Sequence, residues 1–142
     1  MLKKFNKILV ANRGEIAIRI FRACSELGIK SVGIYSKEDK YGLFRTKADE
    51  SYLIGEGKGP IDAYLDMDGI IDLAKRKKVD AIHPGYGFLA ENAEFARKCE
   101  ENGITFIGPS SKVMNMMGDK INSKKIAKEV NVQTIPEIGR AS

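Results

Sequence analysis

The stretch His83-Pro84-Gly85-Tyr86-Gly87-Phe88-Leu89-Ala90-Glu91-Asn92 concentrates the residues able to do chemistry. It holds the only histidine of the chain, a phenol and a carboxylate, with glycine on either side of the phenol. The apolar run Val79 to Ile82 precedes it and a helical pattern follows, so it reads as a tight loop leaving a strand. Open α/β sheets bind ligands at such carboxyl-terminal strand edges. Gly85 and Gly87 leave backbone N–H groups clear of side chains. Tyr86 and Gly87 read either as a ring and an N–H offered to a ligand, or as a strained turn that the glycines merely relieve. His83 reads first as a hydrogen-bonded structural residue, with a general base as the alternative. No serine or cysteine nucleophile pairs with it in a local signature. Glu91 reads as an acid stabilised near a helix N-terminus, with an active-site carboxylate as the alternative.

Other candidates are weaker by themselves. Asn12-Arg13-Gly14 lies at a strand-to-helix turn, where helix N–H groups attract anions. One glycine stands where the dinucleotide fingerprint requires three. Asp119 is a cap candidate in Gly118-Asp119-Lys120, and Lys120 is either a solvated lysine or a point charge for a phosphate. Arg19, Arg22 and Glu26 share one helix face. Arg22 and Glu26, four residues apart, suit a surface ion pair or an oligomer contact. Cys24 and Cys99 have no metal-ligand spacing and read as small buried hydrophobes.

Composition narrows the classes. At 142 residues and 43% hydrophobic, the chain is the size of one domain and apolar enough for a core. No apolar run reaches the roughly 18 residues that a membrane helix requires. The apolar run Ile8 to Ala11 is too short for a signal peptide, and charge returns at Arg13 and Glu15. A cytoplasmic location is therefore expected. The net charge of +5 tolerates phosphate ligands. The densest basic cluster, Lys75 to Lys78, falls at a helix C-terminus, where it complements the dipole. No aromatic ladder interleaves the basic residues, and nucleic acid is not expected as a partner.

The elements that must position these residues alternate. Strands are expected over Lys7 to Ala11, Ser31 to Tyr35, Glu50 to Ile54, Val79 to Ile82 and Ile104 to Ile107. Helices are expected over Glu15 to Leu27 (Ile16, Ile20, Ala23 and Leu27 inward), Met67 to Lys78 and Asn92 to Asn102. Lys37 to Lys47 reads as an irregular charged loop. Two short helices, Ser110 to Met117 and Asp119 to Val130, break at Gly118. The alternation predicts an α/β fold with a Rossmann-like, doubly wound parallel sheet.

Five motifs in order resemble a known family: Ala11-Asn12-Arg13-Gly14-Glu15-Ile16-Ala17, Ala48-Asp49-Glu50, His83 to Asn92, Phe106-Ile107-Gly108-Pro109, and Met117-Gly118-Asp119-Lys120. The sequence is similar to the N-terminal domain of biotin carboxylase, over Lys7 to about Pro136. Lys47 to Leu53 and Gly59 to Leu65 look most like the pyruvate carboxylase branch. One departure is Phe44 before Arg45, where the family often has histidine.

The resemblance implies a pre-ATP-grasp domain over residues 1–118, with 119–142 starting a linker helix toward an ATP-grasp domain. It implies that the full-length enzyme activates bicarbonate with ATP and magnesium as carboxyphosphate and passes the carboxyl group to biotin on a carrier domain. It puts Tyr86 and Gly87 against biotin, Lys120 at the nucleotide phosphates, His83 and Glu91 in the active-site wall, and Arg19, Arg22 and Glu26 at a homodimer contact. The ATP-grasp lid, the magnesium carboxylates and the biotin attachment site have no counterparts before Ser142. The isolated domain is therefore expected to be inactive and to carry no bound cofactor. The alternative is a stand-alone module that binds a nucleotide or docks onto a carboxylase. Micromolar binding of magnesium-ATP by calorimetry would favour that module.

Overall fold

The computed structural model describes residues 5–117. Five strands, β1 (Lys7–Val10), β2 (Lys30–Tyr35), β3 (Glu50–Leu53), β4 (Ala81–His83) and β5 (Thr105–Phe106), form one sheet in the order β3-β2-β1-β4-β5. Every pairing is parallel. Three helices connect them: α1 (Gly14–Glu26), α2 (Met67–Arg76) and α3 (Ala93–Glu101). A further helix occupies residues 111–117.

The pleat of β1 explains why both faces are covered. Ile8 and Val10 point into one cluster with Ala17, Ile20, Phe21 and Cys24 of α1 and with Phe44. Leu9 and Ala11 point into the other, with Ile70, Ile71, Leu73 and Ala74 of α2 and Phe95, Ala96 and Cys99 of α3. Successive side chains of a strand alternate in this way, so a continuous apolar run means burial on two faces. Gly33 of β2 lets α1 come close, because a Cβ there would lie 3.0 Å from the Phe21 ring.

The expected architecture is present, with local differences. α1 turns inward on Ala17, Ile20, Phe21 and Cys24, while Ala23 and Leu27 are exposed, Leu27 at 71%. Cys24 carries the burial that was expected of its neighbour Ala23, and Phe21 joins Ile20 on the inward face. Lys37 to Lys47 is not irregular: two 3-10 turns, Lys37–Asp39 and Leu43–Lys47, fold over the sheet and bury Phe44. A third, Asp62–Leu65, was hidden between Pro60 and α2 and buries Ala63 and Tyr64. α2 and α3 begin after Asp66 and Asn92, whose side chains accept from the N–H groups of Gly69 and Phe95. Cys24 and Cys99 are free and buried, and burial raises both thiols, Cys99 to about 12. They are packing residues, as their setting in the sequence suggests. The expected helix over Asp119 to Val130 lies outside the described residues.

Candidate functional site

In this strand order the chain reverses direction across the sheet between β1 and β4. The loops leaving these two strands must diverge, which opens a crevice at their carboxyl ends. The candidate residues lie there. Ala11 N–H donates to the His83 carbonyl at 2.9 Å, carrying the ladder one residue past the end of β1 onto the last residue of β4. Asn12 comes next and is 3% exposed. Its Nδ2 donates to the carbonyls of Pro84 at 2.7 Å and Tyr86 at 2.8 Å. Its Oδ1 accepts from Arg13 N–H at 2.8 Å. One buried carboxamide therefore ties the turn after β1 to the loop after β4.

Gly85 is required by this arrangement. Its φ is +68°, and a Cβ would come within 2.7 Å of Asn12 Nδ2. Its N–H donates to His83 Nδ1 at 3.0 Å. Tyr86 and Gly87 stand clear of the body, Tyr86 at 72% exposure. Phe88 closes the loop at φ +44°, a conformation that costs a non-glycine residue of order 1–3 kcal/mol. Its ring offsets that cost by packing on Tyr64, with centroids 5.3 Å apart.

Tyr64 leads back to the start. Its hydroxyl donates to Asp39 Oδ2 at 2.6 Å and accepts from Ser36 N–H at 3.0 Å. Asp39 receives Arg13 through two bonds, Nε at 2.7 Å and a terminal nitrogen at 2.6 Å. The contacts thus form a circuit from Asn12 through the β4 loop, Phe88, Tyr64 and Asp39 to Arg13, the neighbour of Asn12. Arg13 holds the Asp39 carboxyl below its usual range, aided by Tyr64 and Ser36. Burial, reinforced by Asp39, pushes the Tyr64 phenol up to about 12. Burial lowers the pKa of His83, which leaves its imidazole neutral with Nδ1 free to accept.

The sequence-derived candidates separate in space. Tyr86 and Gly87 form the presented edge. His83 buttresses that edge through Gly85, and its ring lines an apolar groove of about 340 Å³ with Ile8, Ile20, Cys24, Ile107 and Arg19. Glu91 is exposed in the turn before α3. Arg19 pairs with Glu15 at 3.4 Å, whereas the expected Arg22–Glu26 pair does not form and both side chains are exposed. Lys120 lies outside the described residues. Asn12 and Phe88 lie in stretches that the sequence marks out, the Asn-Arg-Gly turn and the His83 to Asn92 loop, but their supporting role was not read from it, and Asp39 and Tyr64 were not named as candidates.

The fold and the crevice define a doubly wound α/β domain with an exposed loop, anchored by Asn12 and His83, at its switch point. Residues 4–114 match the family described as biotin carboxylase, N-terminal domain. The pyruvate carboxylase of Bacillus subtilis is 63% identical over 134 residues, which is 94% of this chain and 12% of that protein. Among solved structures, a complete multifunctional pyruvate carboxylase from Rhizobium etli is 50% identical with a TM-score of 0.81, over 94% of this chain and 13% of that one. The biotin carboxylase domain dimer of Hydrogenobacter thermophilus 2-oxoglutarate carboxylase, in complex with MgADP, ADP and bicarbonate, is 54% identical with a TM-score of 0.82, over 95% of this chain and 29% of that one. The chain belongs to the biotin carboxylase N-terminal domain family. It spans about 12% of the length of the pyruvate carboxylase it matches at 63% identity.

Proposed function

We propose that this chain forms the biotin-facing wall of a biotin-dependent carboxylase of the pyruvate carboxylase type, in which ATP, magnesium and bicarbonate drive carboxylation of biotin. The observation that carries the reading is the Tyr86-Gly87 edge, exposed at the switch point and held by Asn12, in a chain of this family. A flat, largely apolar bicyclic ring with a polar urea edge suits an exposed phenol beside a free N–H. Biotin, when bound, supplies the ureido nitrogen that takes up the carboxyl group. Tyr86 packs beside the ring, Gly87 offers its N–H, and the circuit through Asp39 keeps both in place.

The remaining roles follow from the family resemblance. Lys120 would meet the nucleotide phosphates as a point charge. His83 and Glu91 would stand behind and beside the loop. Among the described residues no group of three or more His, Cys, Asp or Glu could hold a metal ion. The reading gives magnesium to the ATP-grasp domain. Arg19, Arg22 and Glu26 would meet a second copy along α1, and a carrier domain would deliver biotin to the crevice. Relatives of this segment include enzymes named for pyruvate and for 2-oxoglutarate. The segment accordingly serves the biotin-carboxylating step, which is shared, rather than the choice of acceptor.

The test is a titration of the isotopically labelled 142-residue chain with free biotin, followed by amide shifts. Shifts centred on Tyr86 and Gly87 are expected. Saturable shifts at the opposite, amino-terminal edge of the sheet would contradict the reading.

A further inference from the structure

The Pro84–Gly85 peptide is gripped at both ends. Its carbonyl accepts from Asn12 Nδ2 at 2.7 Å, and its N–H donates to His83 Nδ1 at 3.0 Å. The Tyr86–Gly87 peptide is gripped at one end, its carbonyl accepting from the same Asn12 nitrogen at 2.8 Å. No cis peptide bond occurs among the described residues. In a trans peptide the carbonyl and the N–H point in opposite directions. Turning the Tyr86 carbonyl inward to Asn12 therefore turns the Gly87 N–H outward. Gly87 is exposed, and its N–H has no partner among the described residues.

Neither grip is incidental. Asn12 is buried and uses both ends of its carboxamide. Its amide fills the space that any side chain at position 85 would need. His83 accepts through Nδ1, which only a ring unprotonated at that nitrogen can do. It sits against apolar Ile8, Ile20 and Ile107.

We propose that Asn12 and His83 are positioning residues: they fix two nearby peptides of the loop so that the Gly87 N–H stands as a preset donor to a carbonyl oxygen on the ring beside Tyr86. The proposal rests on the reading of this loop as the biotin wall, with the ureido carbonyl as acceptor. A donor fixed before binding spares the ordering cost that a free loop would meet.

The test compares the 142-residue chain with Asn12→Asp, His83→Leu and His83→Asn. Asn12→Asp keeps the shape and removes both donors. His83→Leu removes the acceptor, while His83→Asn returns an oxygen close to the Nδ1 position. Two readouts are taken: hydrogen exchange of the Gly85 amide, and binding of biotin and of an analogue bearing an imino nitrogen in place of the ureido oxygen. Asn12→Asp and His83→Leu are expected to speed Gly85 exchange and weaken biotin binding by about tenfold, the scale of one lost hydrogen bond. His83→Asn is expected to restore both. The wild-type chain is expected to prefer biotin to the imino analogue, and Asn12→Asp to lose that preference.

Unchanged exchange and unchanged biotin affinity in Asn12→Asp and His83→Leu would overturn the proposal and leave the biotin reading standing. Equal affinity of the wild-type chain for biotin and the analogue would overturn the role of the Gly87 N–H. Faster exchange in the variants, with no response of the wild-type chain to biotin, would support the peptide grips and sink the biotin reading. Should Asn12→Asp fail to fold, the two His83 variants decide by the same readouts.

Discussion

Asp39 gathers Arg13, Tyr64 and Ser36 on one carboxylate that is 12% exposed in its side chain. Arg13 itself is 44% exposed, so its charge is partly screened and the buried hydrogen bonds matter more. Asp39→Asn should destabilise the fold by about 1–3 kcal/mol at neutral pH, read from urea unfolding. The sign with pH is fixed by the direction of the shift. The folded-state pKa lies below the ordinary aspartate value of 3.8, so the contribution is present above that value and is lost as pH falls through the folded pKa. The gap between wild type and Asp39→Asn should close in acid. His83 behaves differently. Its folded-state pKa is lowered by burial below 6.5, so the unfolded chain takes up the proton first as pH falls. Its contribution is constant above about that pH and declines from there to the folded pKa. Arg19 is the charged group facing the same groove, with the Cys24 thiol beside it. Urea midpoints between pH 7.5 and 5.5 should fall for the wild-type chain and fall less for His83→Asn.

At the scale of elements, Asn92 caps α3 through a 2.9 Å bond from Phe95 N–H. Asn92→Ala should cost about 1 kcal/mol and lower the melting temperature. Two neighbouring glycines offer a sharper contrast. Gly55 and Gly57 both have positive φ, but a Cβ at Gly55 would run into Ala63 while one at Gly57 would meet nothing within 4 Å. Gly57→Ala should cost about 1–2 kcal/mol for the left-handed backbone alone. Gly55→Ala should cost clearly more, and equal melting temperatures for the two variants would refute the packing argument. The alternation of strands and helices was legible because each apolar run is long enough to set a period. The inward face of α1 was not, because Ala23 and Leu27 continue its apolar stripe onto the groove lined by His83. The turn that buries Phe44 has no period to read. Phe44 stands where the family often has histidine, and it is 5% exposed in the α1 cluster. The presented pair Tyr86-Gly87 was legible from glycine and tyrosine at a strand end. Its support was not, because Asn12 reaches residues 72 and 74 positions away, and Tyr64 reaches Asp39 across 25. Local pattern carries no information about such pairs until the sheet brings them together.

At the scale of the molecule, both faces of the sheet are covered, and no helix among the described residues is long and apolar enough to cross a membrane. On the reading proposed above, the loop edge would form one wall of a site whose other walls belong to further domains of the parent enzyme. The purified chain should therefore show no ATP hydrolysis that depends on bicarbonate and biotin, in a phosphate-release assay. The most direct measurement is an exchange: this chain replaces the matching 134 residues of the Bacillus subtilis pyruvate carboxylase, and bicarbonate-dependent ATP cleavage and biotin carboxylation are followed. The account predicts activity within about tenfold of the parent, roughly 1.4 kcal/mol in barrier height. It also predicts that Tyr86→Ala in the exchanged enzyme slows biotin carboxylation while leaving the KM for ATP unchanged. A folded hybrid that binds nucleotide yet carboxylates no biotin, or one indifferent to Tyr86→Ala, would contradict it.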